Sequence, residues 1–144
     1  MFSKACEYGI RSAILIAKSS LTGERVGLKE IAKDIDSPEA FTAKILQILT
    51  RADIIQSTKG VKGGFEVSIV QMKTVTLADL VNVLDGNAIY RGCGLGLPAC
   101  NEEKPCPIHH KFKEVRNALQ KVLTETSLHD LALGLNAGNS FLKI

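Results

Sequence analysis

Three cysteines fall within fourteen residues, at Cys93, Cys100 and Cys106, and His109 follows three positions after the last. Thiolate is the form that ligates metals, and a free thiol is only a few per cent thiolate at neutral pH. Three thiols on one loop therefore point to a metal centre. Structural zinc favours cysteine pairs two to four residues apart, and the gaps here are x6 and x5. Wider gaps suit a larger object, and cysteines hold iron–sulfur clusters at such spacings. Three cysteines leave one position for a weaker ligand, which makes a cluster labile in the way a sensor requires. His109 and Glu7 are the candidates, the latter reaching from a partner subunit, and His110 lies beside the first. Gly92, Gly94 and Gly96 let the loop wrap a centre closely, and Cys106-Pro107 joins it to a helix N-terminus, whose positive end favours anions. The fourth cysteine, Cys6, has apolar neighbours on its helix face and reads as a small core residue.

The elements that must position this loop follow from periodicity and caps. Ala5, Cys6, Ile10, Ala13, Ile14 and Ala17 predict a helix over 3–18. Leu28, Ile31, Ala32 and Ile35 predict a second over 28–35. Ser37 as N-cap and Pro38 at the first position open a third, with Phe41, Ile45, Ile48, Leu49 and Ala52 on its apolar stripe. Two short amphipathic helices across a tight turn outline a helix-turn-helix. Strands are expected over 54–58 and 65–69, joined by the basic glycine-rich turn Lys59-Gly60-Val61-Lys62-Gly63-Gly64. Helix, turn, helix and hairpin together predict a winged helix. Thr76 caps a fourth helix over 77–84, which Gly86 stops.

A long helix is expected from about Pro107, with Ile108, Phe112, Val115, Leu119 and Val122 at heptad spacing. Such a seam needs a partner, and the simplest is the same helix of a second subunit. A short helix over 127–135 and a frayed tail over 136–144 complete the chain. The expected fold class is mainly α with a small β-hairpin wing. Residues 1–86 are expected to form the winged helix-turn-helix, 87–107 the cysteine loop, 108–135 the dimerisation helix and terminal helix, and 136–144 the tail.

Recognition helices set their N-terminal residues against base edges. Ser37, Thr42 and Lys44 are the expected readers, with Gln47 one turn deeper. Lys29, Lys59 and Lys62 are expected at phosphates, giving affinity without sequence information. Residues 1–76 carry 11 Lys and Arg against 8 Asp and Glu, whereas residues 77–144 balance at 7 against 7. The whole excess of +3 thus lies in the half expected to meet a polyanion. Hydrophobic residues make up 45%, which excludes a disordered chain. No apolar run approaches the roughly 18 residues of a membrane span, and no signal peptide is recognised, so a cytoplasmic protein without a membrane partner is expected. No nucleophile–base pair, phosphate loop or acidic dyad points to an enzyme.

These residues together resemble the Rrf2 family of winged-helix regulators, with its IscR-like, NsrR-like and CymR-like branches. The resemblance covers about residues 2–134. It rests on Glu7-Tyr8-x-x-Arg11, the helix-turn-helix, Gly60-x-x-Gly63-Gly64-Phe65, Leu77-Ala78-Asp79-Leu80-Val81 before Asp85-Gly86, and the cysteine loop. It implies a homodimer on a palindromic operator in double-stranded DNA and a 2Fe–2S or 4Fe–4S cluster. In the IscR-like branch a histidine at the position of His109 is a ligand. In the NsrR-like branch an acidic residue of the partner's first helix, at the position of Glu7, takes that place. Two departures stand out. The first cysteine gap is six residues where five is common, and Asp53 replaces a frequent glycine before the wing. The expected function is a repressor under cluster control. The alternative is a cluster-free regulator that senses thiol oxidation or a small molecule.

Overall fold

The structure is a computed structural model that describes residues 1–144. Eight helices and one hairpin follow in the order α1 (Lys4–Ser20), α2 (Leu28–Asp34), α3 (Glu39–Arg51), β1 (Gln56–Thr58), β2 (Gly64–Glu66), α4 (Ile69–Thr74), α5 (Leu77–Leu84), α6 (Ala88–Arg91), α7 (His109–Glu125) and α8 (Leu128–Asn136). The expected mainly helical fold with a two-stranded wing is the fold found.

Helix α1 is the central element. Ser3 caps it, its hydroxyl accepting from the Cys6 amide at 3.1 Å. Cys6 and the run Ala13 to Ala17 are buried, and α2, α3, α5, α8 and β2 all pack on this helix. Gly9 permits the approach of α5, since a Cβ there would lie 2.3 Å from a Leu84 methyl. Arg11 then staples the helix-turn-helix. Its guanidinium lies 4.8 Å over the Tyr8 ring and donates to the Ile35 carbonyl at 2.8 Å. Ile35 is the C-cap of α2, and Asp36 beyond it turns the chain at φ 52°. Both residues of the Tyr8-x-x-Arg11 motif are thereby spent on holding the turn between α2 and α3.

Helix α3 is rotated from the expected stripe. Thr42, Ile45, Leu46 and Leu49 are buried, while Phe41 and Ile48 are 36% and 41% exposed. Pro38, not Ser37, is its N-cap. The wing pairs antiparallel in the register Gln56↔Glu66, Ser57↔Phe65 and Thr58↔Gly64. Gly63 is required at its turn, because a Cβ would fall 2.1 Å from the Thr58 carbonyl oxygen. Ile54 and Ile55, expected within the first strand, are core residues ahead of it. The second strand ends at Glu66, short of the expected Ile69. The reason is local: the Ser68 hydroxyl accepts from the Gln71 amide at 3.1 Å and starts α4, which the periodicity did not announce.

Helices α5 and α8 each begin with a capping box, Thr76 with Asp79 and Ser127 with Asp130. Their entries are tied by backbone bonds from Leu77 to Thr126 and from Leu128 to Val75. Leu128 and Ala132 of α8 are buried in the core built on α1. The segment expected as one unit over 108–135 therefore has two destinations, for α7 lies along α5 and α6 while α8 joins the winged-helix core. The tail is not frayed throughout. Leu142 packs on the core, its carbonyl accepts from Arg11 at 3.2 Å, and Lys143 donates to the Lys33 carbonyl at 3.3 Å. No helix is long and apolar enough to cross a membrane.

Candidate metal centre and nucleic-acid interface

The cysteine loop runs from the end of α6 to the start of α7, with all three thiols unoxidised and half-buried. Two of the expected ligands meet. Cys100 Sγ and His109 Nδ1 lie 3.3 Å apart. No three His, Cys, Asp or Glu donors converge on a single point that fits one ion. His109 is 3% exposed, and its Nε2 has no hydrogen-bond partner. A buried polar atom without a partner costs free energy, so it marks a place where another group belongs. His110 is exposed and stands edge-on to it at 5.1 Å.

A residue that the sequence did not single out holds this site together. Arg116 of α7 is 8% exposed. It donates to the carbonyls of Arg91 and Gly92 at 3.1 and 2.6 Å and to Cys100 Sγ at 3.1 Å. Its guanidinium also lies 5.7 Å over the Phe112 ring. That ring is covered by Gly94, where a Cβ would come within 2.8 Å of it. The signal was present in the spacing: His109, Arg116 and Leu123 recur every seven residues and are the buried residues of α7. Cys93 Sγ accepts from the Leu95 amide at 3.4 Å. The Leu95 and Leu97 amides hold its thiol below the ordinary range, helped by Cys106 and the Arg116 charge.

Glu7 lies on the first turn of α1 and is taken up by Lys4 at 2.7 Å, which lowers its pKa first by that hydrogen bond. Cys6 is a core residue, and burial followed by the nearby Asp85 charge pushes its thiol up to about 12. The donor types suit an iron–sulfur centre: three half-buried thiols lie on one loop, and the imidazole beside Cys100 has its Nε2 unpartnered.

The seam residues of α7 divide between two faces. Ile108, Val115 and Val122, seven apart, are 37%, 61% and 57% exposed. Phe112 and Leu119 are half-buried, the first under Gly94 and the second against the cluster of Cys6, Ala78 and Val81.

On the DNA side, Lys29 of α2, Lys44 of α3, and Lys59 and Lys62 of the wing are exposed. Thr42 is a correction. It is fully buried, its hydroxyl donates to the Pro38 carbonyl at 2.9 Å, and it shares a 2.6 Å hydrogen bond with the half-buried Ser37 hydroxyl. Thr42 thus shapes the start of α3 and offers nothing to a base edge. A groove of about 670 Å³ runs between α3 and the wing, lined among others by Ala43, Gln47, Arg51, Ser57 and Lys59. Arg25, also absent from the expected set, pairs with Glu66 at 2.9 Å and donates to the Lys62 carbonyl at 3.4 Å, which steadies the wing tip.

Comparison with known proteins agrees with this layout. The family model described as Rrf2, iron-dependent transcriptional regulator, matches residues 2–133. A protein of Aquifex aeolicus named as an HTH-type transcriptional regulator is 31% identical, over 91% of this chain and 90% of its own. The structure of CymR, the global cysteine regulator of Bacillus subtilis, is similar with a TM-score of 0.76 at 26% identity, covering 92% of this chain and 96% of that one. IscR of T. potens shares the fold with a TM-score of 0.72 at 16% identity, covering 97% and 91%. The helix-turn-helix stapled by Arg11, the basic wing and the match along 2–133 lead to one assignment: the chain belongs to the Rrf2 family of transcriptional regulators, and it is not an enzyme.

Proposed function

We propose that this chain is a sequence-specific DNA-binding repressor, cytoplasmic and homodimeric, whose affinity for a palindromic operator is set by an iron–sulfur cluster on Cys93, Cys100 and Cys106. The observation that carries the cluster reading is His109, buried beside Cys100 with Nε2 unpartnered. His109 is the fourth ligand in this reading, since Glu7 is engaged by Lys4. A 2Fe–2S or 4Fe–4S cluster supplies a centre that redox change, nitric oxide or iron–sulfur shortage alters. The chain's own residues do the rest. The thiols and the imidazole hold the group, and Arg116 ties the loop to α7. The exposed row Ile108, Val115 and Val122 forms the subunit seam. Lys44, Lys59 and Lys62 meet the DNA, with the two recognition helices about 34 Å apart on successive major grooves. A shift of α7 against its copy changes that spacing and hence affinity.

The test is anaerobic purification, with iron and sulfide analysis, a visible spectrum, and operator binding before and after cluster loss. Coloured protein with iron and sulfide, and binding that changes on loss, is expected. Colourless protein without iron or sulfide overturns the cluster.

One observation favours a second reading. All three loop cysteines are free and half-buried, so two of them are available to lose two hydrogens to peroxide and form a disulfide, yielding water. A cluster-free regulator would show that mass loss together with altered operator binding.

A further inference from the structure

Arg116 joins two parts of the molecule that sequence distance separates. It projects from the middle of α7, and its guanidinium reaches the carbonyls of Arg91 and Gly92 at the start of the loop and the sulfur of Cys100 further along it. Those contacts bridge 25, 24 and 16 residues. The group is 8% exposed, so its positive charge faces little water, and Nε has no partner. A buried cation is tolerated only where something compensates it. Two carbonyl dipoles and one cysteine sulfur compensate weakly. A set of thiolates around an iron–sulfur group is anionic and compensates well.

We propose that Arg116 is a positioning residue with two separable roles: its fork clamps the cysteine loop onto α7, and its buried charge balances the anionic group that the thiolates hold. The second role rests on the cluster reading above; the first stands on the hydrogen bonds alone. Lysine separates the two, because it keeps the charge but cannot span both carbonyls and the sulfur.

Arg116→Met and Arg116→Lys test this against the wild-type protein. Amide exchange at Gly92, Leu95 and Gly96 in the metal-free protein reads the clamp. It should speed up by about tenfold or more in both variants, since charge-assisted bonds to two carbonyls are lost. Anaerobic reconstitution with iron and sulfide, followed by dithionite titration, reads the charge. At a fixed poise the reduced fraction should fall about tenfold or more in Arg116→Met, because the reduced group carries one more negative charge, and should largely return in Arg116→Lys. Wild-type exchange in both variants overturns the clamp. A wild-type reduction profile in Arg116→Met overturns the charge role. Wild-type protein that takes up no iron and sulfide overturns the cluster reading and the charge role with it, and the exchange measurement still decides the clamp. Should Arg116→Met not fold, Arg116→Lys against wild type decides the clamp, and Arg116→Gln replaces Arg116→Met in the titration.

Discussion

Val115 and Arg116 are neighbours on α7 and lie on different faces, the first 61% exposed and the second 8%. One residue belongs to the outer row with Ile108 and Val122, and the other holds the cysteine loop. If the outer row is the subunit seam, the two functions can be broken separately. Val115→Glu sets like charges against each other at that seam and should weaken dimerisation by tenfold or more in sedimentation equilibrium, about 1.4 kcal/mol. The loop hydrogen bonds of Arg116 should survive, as read by amide exchange. A Val115→Glu protein that dimerises like wild type places the seam elsewhere.

Much of the fold was legible because its signals are local. The Thr76 cap and the glycine turn of the wing fix their elements through adjacent residues, and the structure adds caps at Ser3 and Ser127. The misses share a physical origin in side chains that satisfy themselves internally. Thr42 looked like a solvent-facing donor, yet its bond to Pro38 lets it replace Phe41 on the buried stripe. Arg116 was not singled out in the sequence, yet two carbonyls and a sulfur keep it inside. Asp53, where relatives often carry glycine, has φ 58°, the left-handed region that explains the preference. The cysteines and His109 were legible as a set, but only tertiary packing brings the His109 ring against Cys100.

The wing lysines should contribute affinity without sequence discrimination. Lys59 and Lys62 are exposed at the tip, and Arg25 holds the Lys62 carbonyl. Neutralising a phosphate releases counterions, so each phosphate contact adds about 0.9 to the slope of log affinity against log salt. Lys59→Ala with Lys62→Ala should flatten that slope by roughly this amount per lost contact and weaken operator and random DNA alike. An unchanged slope removes the wing from the phosphate backbone.

Thr42 should behave as a stability residue. Thr42→Val removes the hydroxyl that donates to Pro38 and leaves the Ser37 hydroxyl without its partner, at a cost of about 1–3 kcal/mol. Denaturant unfolding of the metal-free protein measures it. Thr42→Ser keeps the bond and should lose less. Operator preference, scored by selection from random DNA, should be the same for folded Thr42→Val and wild type. A change in preferred bases at constant stability would return Thr42 to the DNA interface.

The two extremes of thiol environment should separate by chemical labelling. In the metal-free protein the Leu95 and Leu97 amides lower the Cys93 thiol pKa, whereas burial first, then the Asp85 charge, raises Cys6 to about 12. The reactive species is the thiolate, so iodoacetamide at neutral pH should modify Cys93 faster than an unfolded-chain cysteine and leave Cys6 untouched until the protein is denatured. The sign extends to stability. A lowered thiol pKa means the folded state binds fewer protons than the unfolded one, so the Cys93 contribution is present above the unfolded pKa and fades as pH falls through the folded value. Raising Cys6 acts oppositely: its neutral form is favoured on folding, and that contribution is full below the unfolded pKa and lost only as pH climbs toward about 12. Cys93→Ser should abolish the fast label and leave the slow one unchanged. Labelling of Cys6 ahead of Cys93 in the folded protein would contradict both environments at once.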